Sequence, residues 1–278
     1  MAVRDETQMD ETIDLDWTHK GLYDEPLSPG EHRTLAEKAF MLLRQAILTG
    51  VLKPGARLPI EELGEMLGMS PMPVREAVRR LDAMGLVENI PHKGARITEL
   101  SVEDLRDVYE ARLVLEPLAV YRAAANFTES NSTMARAALD AMTLSSTGSS
   151  DQWTAHSAFH LGLYKASGSK WLIRLIQPLW ETSERYRHAA PIQREIGVRR
   201  EEHERVLKGC EDHQPAQAAG ELFNHLAETA NATSQALGGD NLFMLIDDGK
   251  WVPPLQLSTD LVEQLANGVM KKGTLKRR

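Results

Sequence analysis

Four histidines stand in contexts that can bring their rings together. His156 and His160 are four residues apart and so share one face of a helix. His203 lies in EEHERVL and His225 in LFNHLAE, on two further predicted helices. Three helices converging in a bundle can gather four imidazoles at one point, a nitrogen set suited to Zn²⁺, Ni²⁺ or a similar divalent cofactor. Taken singly, each is better explained as a surface residue or a satisfied core histidine. His19, His32, His188 and His213 have no such context and read as surface residues. The second chemical feature is basic. In SPMPVREAVRRLD, residues 70–82, Arg75 and Arg79 are one helical turn apart and Arg80 adjoins them, a stripe that can face the phosphates of double-stranded DNA. Lys93 and Arg96 add positive charge just downstream. A solvated helix face with ordinary charge mixing is the plain alternative.

The hydrophobic pattern supplies elements that could hold these residues. Leu35, Ala39, Leu42, Leu43, Ala46 and Ile47 recur at three- and four-residue spacing and predict a helix that Gly50 stops. Lys53-Pro54-Gly55 is a turn, and Leu63, Met66 and Leu67 mark a short second helix. Gly68-Met69-Ser70 makes a tight break, with Ser70 suited to an N-cap and Pro71 to the first helical position. The third helix runs to Ala83 with Val74, Ala77, Val78 and Leu81 inward, and Gly85 closes it. Leu86-Val87-Glu88 and 95–98 then form two short strands around a polar tip at 89–94. Three short helices followed by a two-stranded ribbon describe a winged helix-turn-helix, whose helix after the tight turn enters the major groove. Beyond Leu100 the pattern is helical over 102–126, 131–144, 152–167, 170–189, 193–210 and 213–237. The fold class is therefore mainly α: a winged helix-turn-helix at 31–100, then an all-helical bundle at 101–238. Residues 1–30 form an acidic arm, read as disordered, although Trp17, Leu22 and Tyr23 could pack it on the body. Residues 239–278 form a mixed tail with a basic end and no assigned role.

The first module resembles a known family. The block LLRQAILTGVLKPGARLP, followed by LGEMLGMSPMPVREAVRRLDAMGLVENIPHKGARI, is similar to the DNA-binding domain of GntR-type bacterial transcription regulators. The resemblance implies DNA contacts by Ser70, Met72, Arg75, Arg79 and Arg80 on the third helix and by His92, Lys93 and Gly94 at the wing tip. Glu61 and Pro71 depart from it, standing where the family often carries arginine, so the half-site preference of other members is not carried over.

The helical module resembles the FCD effector domain of the FadR branch of these regulators, through DLRDVYEARLVLEPLAVYRAA, AFHLGLYKASGS, EEHERVLKGC and NHLAE. Many such domains hold a metal through one aspartate and three histidines. The three match His160, His203 and His225, and the aspartate's place is taken by His156. Either His156 ligates, leaving the ion with one more positive charge, or three histidines leave positions open to water or a carboxylate. Arg112 in YEARLVLE matches a family arginine near the ligand cavity, where a guanidinium can clamp a carboxylate. An ion pair with Glu116, four residues on, is the alternative. Arg187, beside Arg185 and Tyr186, is a second ligand-binding candidate, with a solvated helix end as the competing explanation.

A length of 278 residues suggests two domains, and 42% hydrophobic residues can supply a core for each. No stretch approaches the roughly 20 apolar residues of a membrane span, and the acidic start does not read as a secretory signal. A cytoplasmic protein without membrane partners is expected. The lone Cys210 excludes an internal disulfide and a cysteine-built zinc finger, so nitrogen and oxygen must hold any metal. The net charge of −8 argues at first against nucleic acid. Resolved by segment, residues 1–30 hold eight acids and two bases, whereas 31–100 hold ten bases and nine acids, with the bases gathered on the third helix and wing. The expected protein is a homodimeric repressor that binds operator DNA and senses a small metabolite, by resemblance a carboxylate. Two alternatives stay open: a metal-dependent enzyme on the four-histidine site, for which no general base stands out, and an interaction module that has lost ligand sensing.

Overall fold

The computed structural model describes residues 34–92, 94–145, 149–189, 196–247 and 251. The acidic arm, Lys93 and most of the tail beyond 247 lie outside the described residues. The chain divides into two compact units, Met1–Ser101 with Glu181–Pro191, and Val102–Trp180 with Ile192–Arg278.

The first unit begins with α1 (Leu35–Leu48), whose N-cap Thr34 accepts a hydrogen bond from the Glu37 amide. Its inward stripe is Ala39, Phe40, Leu43, Ala46 and Ile47, and Leu35 faces solvent. The stripe thus starts one turn later than the apolar spacing suggested. Strand β1 (Arg57–Leu58), α2 (Ile60–Met66), α3 (Pro71–Ala83), β2 (Val87–Ile90) and β3 (Gly94–Ile97) complete it. The sheet is antiparallel in the order β1-β3-β2, with Arg57 opposite Arg96 and Val87 opposite Ile97. The third strand, β1, was not foreseen, because two residues are too few to show alternation. Leu43, Leu63, Val74, Ala77, Leu81, Leu86 and Ile97 form a fully buried core that fixes α3 against α1, α2 and the sheet.

Ser70 does sit at the N-cap of α3, but its side chain makes no capping bond. The usual targets are the amides of the second and third helical residues, and the third here is Pro73, which has none. The tight turn before α3 also constrains Gly64 of α2. The Met69 amide donates to the Gly64 carbonyl at 2.9 Å, and a Cβ on Gly64 would lie 2.9 Å from the Met69 carbonyl oxygen.

The second unit is helical: α4 (Val102–Ala125), α5 (Glu129–Leu144), α6 (Ser150–Ala166), α7 (Lys170–Ala189), α8 (Ile196–Glu211) and α9 (Pro215–Ala236). The partition passes through α7, whose residues from Glu181 onward group with the first unit. There Glu181 accepts from Arg44, Arg185 donates to the Thr98 carbonyl, and Tyr186 donates to the Ser101 carbonyl. Within the bundle α4 packs chiefly on α9, and α5 on α6.

The described part of the tail is fastened to α9. Asn231 accepts from the Leu242 and Phe243 amides at 2.7 and 2.9 Å and donates to the Phe243 carbonyl. Asn224 makes the same two-way contact with the backbone of Ile246. Trp251 is buried, donates its amide to the Ala216 carbonyl, and sets its ring 6.3 Å from that of Tyr121.

Because backbone, not a flexible side chain, crowds Gly64, Gly64→Ala is expected to lower stability by about 1–3 kcal/mol. Urea unfolding of the full chain measures this; unchanged stability would show that the turn can give way.

Candidate functional site

Two groups of side chains could do chemistry, one in each unit. In the first, α3 is the second helix of the helix-turn-helix and presents a polar outer face. Arg75 Nη2 donates to Glu61 Oε1 of α2 at 2.6 Å, and Arg79 pairs with Glu76 one turn earlier on α3. Arg80 donates to Glu37 of α1 at 2.6 Å, with its guanidinium 3.8 Å from the centre of the Phe40 ring. All three arginines of α3 therefore carry carboxylate partners. Exposed pairs of this kind contribute only about 0–1 kcal/mol, so phosphate or a base edge can take the guanidinium at small cost. Ser70 and Met72 are exposed at the start of the helix. At the wing, His92 has φ 63° and Gly94 has φ 82°, and this left-handed backbone turns the ribbon. His92 and Gly94 are both exposed, and Lys93 between them is not described.

In the second unit the four histidines converge. His156 and His160 come from α6, His203 from α8 and His225 from α9, and one ring nitrogen of each lies within 4.8 Å of the others. Their exposures of 6, 1, 2 and 6% place all four in the interior. Neighbouring rings are 4.5–5.5 Å apart, and the Nε2 atoms of His160 and His203 are 3.0 Å apart. Trp180 of α7 stacks on His156 at 5.3 Å.

Buried partners orient two of these rings. Tyr164 donates its hydroxyl hydrogen to Glu116 at 2.5 Å, which leaves its oxygen to accept from His160 Nδ1 at 3.2 Å. His225 Nδ1 lies 2.7 Å from Glu202 Oε2, a contact in which only the imidazole can donate to the carboxylate. With Nδ1 engaged in these contacts, Nε2 is the candidate ligand atom of both rings, the arrangement that metal-ligating histidines commonly show. Burial, and next the Glu116 carboxylate, push the Tyr164 phenol well above its ordinary pKa and keep it a donor. Glu116 also accepts both Nε and Nη2 of Arg112, at 2.5 and 3.1 Å. Burial works against the Arg112 cation, but Glu116 and then Tyr109 outweigh it and raise its pKa.

This geometry sorts the expected site residues. The histidines are brought together. Arg112 lies near them through Glu116 and Tyr164, but its guanidinium is engaged by Glu116, which was the alternative to a carboxylate clamp. Arg187 donates to Glu184 at 2.9 Å and belongs to the first unit, whereas the histidines belong to the second. Cys210 is buried, and its thiol is pushed up to about 12 by burial and then by Glu211. Tyr164, Trp180 and Glu202 were not singled out in the sequence. Two of them had a signal: Tyr164 is one helical turn after His160, and Glu202 adjoins His203.

A winged helix-turn-helix joined to a helical domain defines a DNA-binding regulator, and comparison with known proteins makes the class specific. Residues 35–97 match the bacterial regulatory proteins of the gntR family, and residues 107–228 match the FCD domain. The chain is 30% identical to the HTH-type transcriptional regulator LutR of Bacillus subtilis, across 68% of this chain and 96% of LutR. It is 29% identical to the probable D-xylose utilization operon transcriptional repressor of Paenarthrobacter nicotinovorans, across 74% of this chain and 92% of that protein. Some other relatives are matched over half their length or less. The solved structure of Escherichia coli McbR/YncC has the same fold, with a TM-score of 0.65 at 24% identity, over 74% of this chain and 99% of that one. The protein belongs to the GntR family of transcriptional regulators and carries an FCD domain; its family and relatives are regulators, not enzymes. No helix among the described residues is long and apolar enough to cross a membrane.

Arg75→Ala is expected to abolish specific DNA binding and leave folding intact, because the side chain is 55% exposed. A mobility-shift assay at moderate salt, on duplexes that the wild type enriches from a random pool, reads the loss; wild-type affinity would refute it.

Proposed function

We propose that this regulator is a homodimeric repressor in the bacterial cytoplasm whose operator affinity is set by a small anionic metabolite, bound at a divalent ion held by His156, His160, His203 and His225. The observation that supports this most is the buried convergence of the four imidazoles, with Nδ1 of His160 and His225 engaged by Tyr164 and Glu202 so that Nε2 is the candidate ligand atom of each. The Nε2 atoms of His160 and His203, 3.0 Å apart in the interior, require a cation or a proton between them. An all-nitrogen set suits Zn²⁺ or Ni²⁺, and no thiolate competes for it.

The charge balance supports an anionic effector. Four neutral imidazoles leave the two charges of the ion uncompensated, apart from Glu202 behind His225. Arg112 is satisfied by Glu116, so the ion rather than this arginine supplies the positive charge that a carboxylate would meet. Effector binding that favours one disposition of the DNA-binding domains then changes operator affinity by a coupling free energy, about 1–3 kcal/mol in typical cases. The sign follows the relatives named as repressors.

Elemental analysis of the purified protein is expected to find about one Zn²⁺ or Ni²⁺ per chain, and none in His203→Ala. Glu202→Gln, which weakens the acceptor behind His225, is expected to lower metal affinity about 10- to 100-fold in a chelator competition. A metal-free wild type that also fails to take up either ion would end this reading.

A further inference from the structure

Glu61 is out of place on a surface that must approach a polyanion. It is the second residue of α2, it is 67% exposed, and its carboxylate lies 2.6 Å from Arg75, the fifth residue of α3. The pair is too exposed to serve as a stability device. Its location is the informative feature. Residues at the start of the second helix of a helix-turn-helix reach base edges, so wherever Arg75 goes in the major groove, Glu61 is within one side-chain length.

A carboxylate there is repelled by phosphates on both sides. The base-edge donors it can meet are the N4 amino group of cytosine and the N6 amino group of adenine, and cytosine N4 is the usual partner of Glu. Arg75, once released from Glu61, matches the O6 and N7 acceptors of guanine. We propose that Glu61 is a specificity-determining residue that works as a unit with Arg75. Arg75 takes a guanine, and Glu61 accepts from a nearby cytosine amino group. At a site that places no such amino group within its reach, Glu61 loses this bond and is left beside phosphate, so that site binds less tightly. The other arginine pairs of α3 differ in kind. Glu76 lies on α3 itself and Glu37 on α1, whereas Glu61 reaches Arg75 from the other helix of the helix-turn-helix.

The test uses the full-length protein and a pool of random DNA duplexes, enriched by binding and sequenced, for the wild type, Glu61→Ala and Glu61→Gln. The wild type is expected to enrich half-sites with a fixed guanine and a fixed cytosine. Glu61→Ala is expected to relax the cytosine position and keep the rest of the motif. Glu61→Gln is expected to shift that position toward adenine, because a carboxamide pairs with adenine N6 and N7. On a random-sequence duplex, Glu61→Ala is expected to bind several-fold tighter, with a log–log salt slope steeper by about 0.9 as one more arginine reaches phosphate. Circular dichroism and melting verify folding, which this exposed position should not disturb. An unchanged motif in both variants, with or without a gain on random DNA, overturns the proposal. Failure of the wild type to enrich any sequence would instead count against operator binding itself.

Discussion

The second unit depends on the cost of burying polar side chains. Arg112, Glu116, Tyr164, Glu202 and four histidines are all removed from water, and groups so placed are tolerated only when each has a partner. The partners come from different helices. Glu116 on α4 holds Arg112 on its own helix and Tyr164 on α6, Tyr164 meets His160, His160 faces His203 on α8, and Glu202 on α8 meets His225 on α9. The apolar packing of these helices would tolerate small slides. The polar chain tolerates fewer, because a shift that breaks one contact leaves a buried polar group without its partner, at a cost of about 3–5 kcal/mol where that partner belonged to a buried ion pair. The histidine cluster is thus held by the same contacts that fix the register of the bundle.

Much of this was legible in the sequence, for reasons that differ by element. The helices of both units announce themselves through apolar spacing and through breakers such as Gly50, Pro71 and Gly85, and α7 runs over the residues that pattern indicated. The four histidines were visible because helical spacing and three separate helices suffice to suggest a meeting point. What escaped detection was of another kind. Strand β1 is two residues long, and its pairing with β3 is a long-range fact. The asparagine clamp on 242–246 recognises backbone, which leaves no pattern in the clamped residues. Glu116 was visible only as a neighbour of Arg112. That it also joins Tyr164, and through it His160, is a property of α4 against α6 that no local spacing encodes.

Net charge was the least informative sequence quantity, and the structure shows why. A total of −8 describes a chain whose acids lie partly in the N-terminal arm and partly beside its own arginines. Arg75, Arg79, Arg80 and Arg112 are each paired with a glutamate, and His225 with Glu202. Acid and base cancel in the sum at the very places where their arrangement matters.

This pairing changes what meeting an anion means at each of these arginines. A free guanidinium would gain the whole of its attraction to a phosphate. One already held by a carboxylate gains only the difference, and the released carboxylate must be accommodated too. Binding becomes an exchange, and an exchange favours the ligand that satisfies both members of the pair over one that satisfies a single member. That difference is the source of specificity, achieved as much by leaving wrong partners unsatisfied as by fitting the right one. At the exposed pairs of α3 the exchange is cheap, so DNA can drive it. At the buried Arg112–Glu116 pair it is expensive, so that pair stays closed and acts as scaffold for the helices around it.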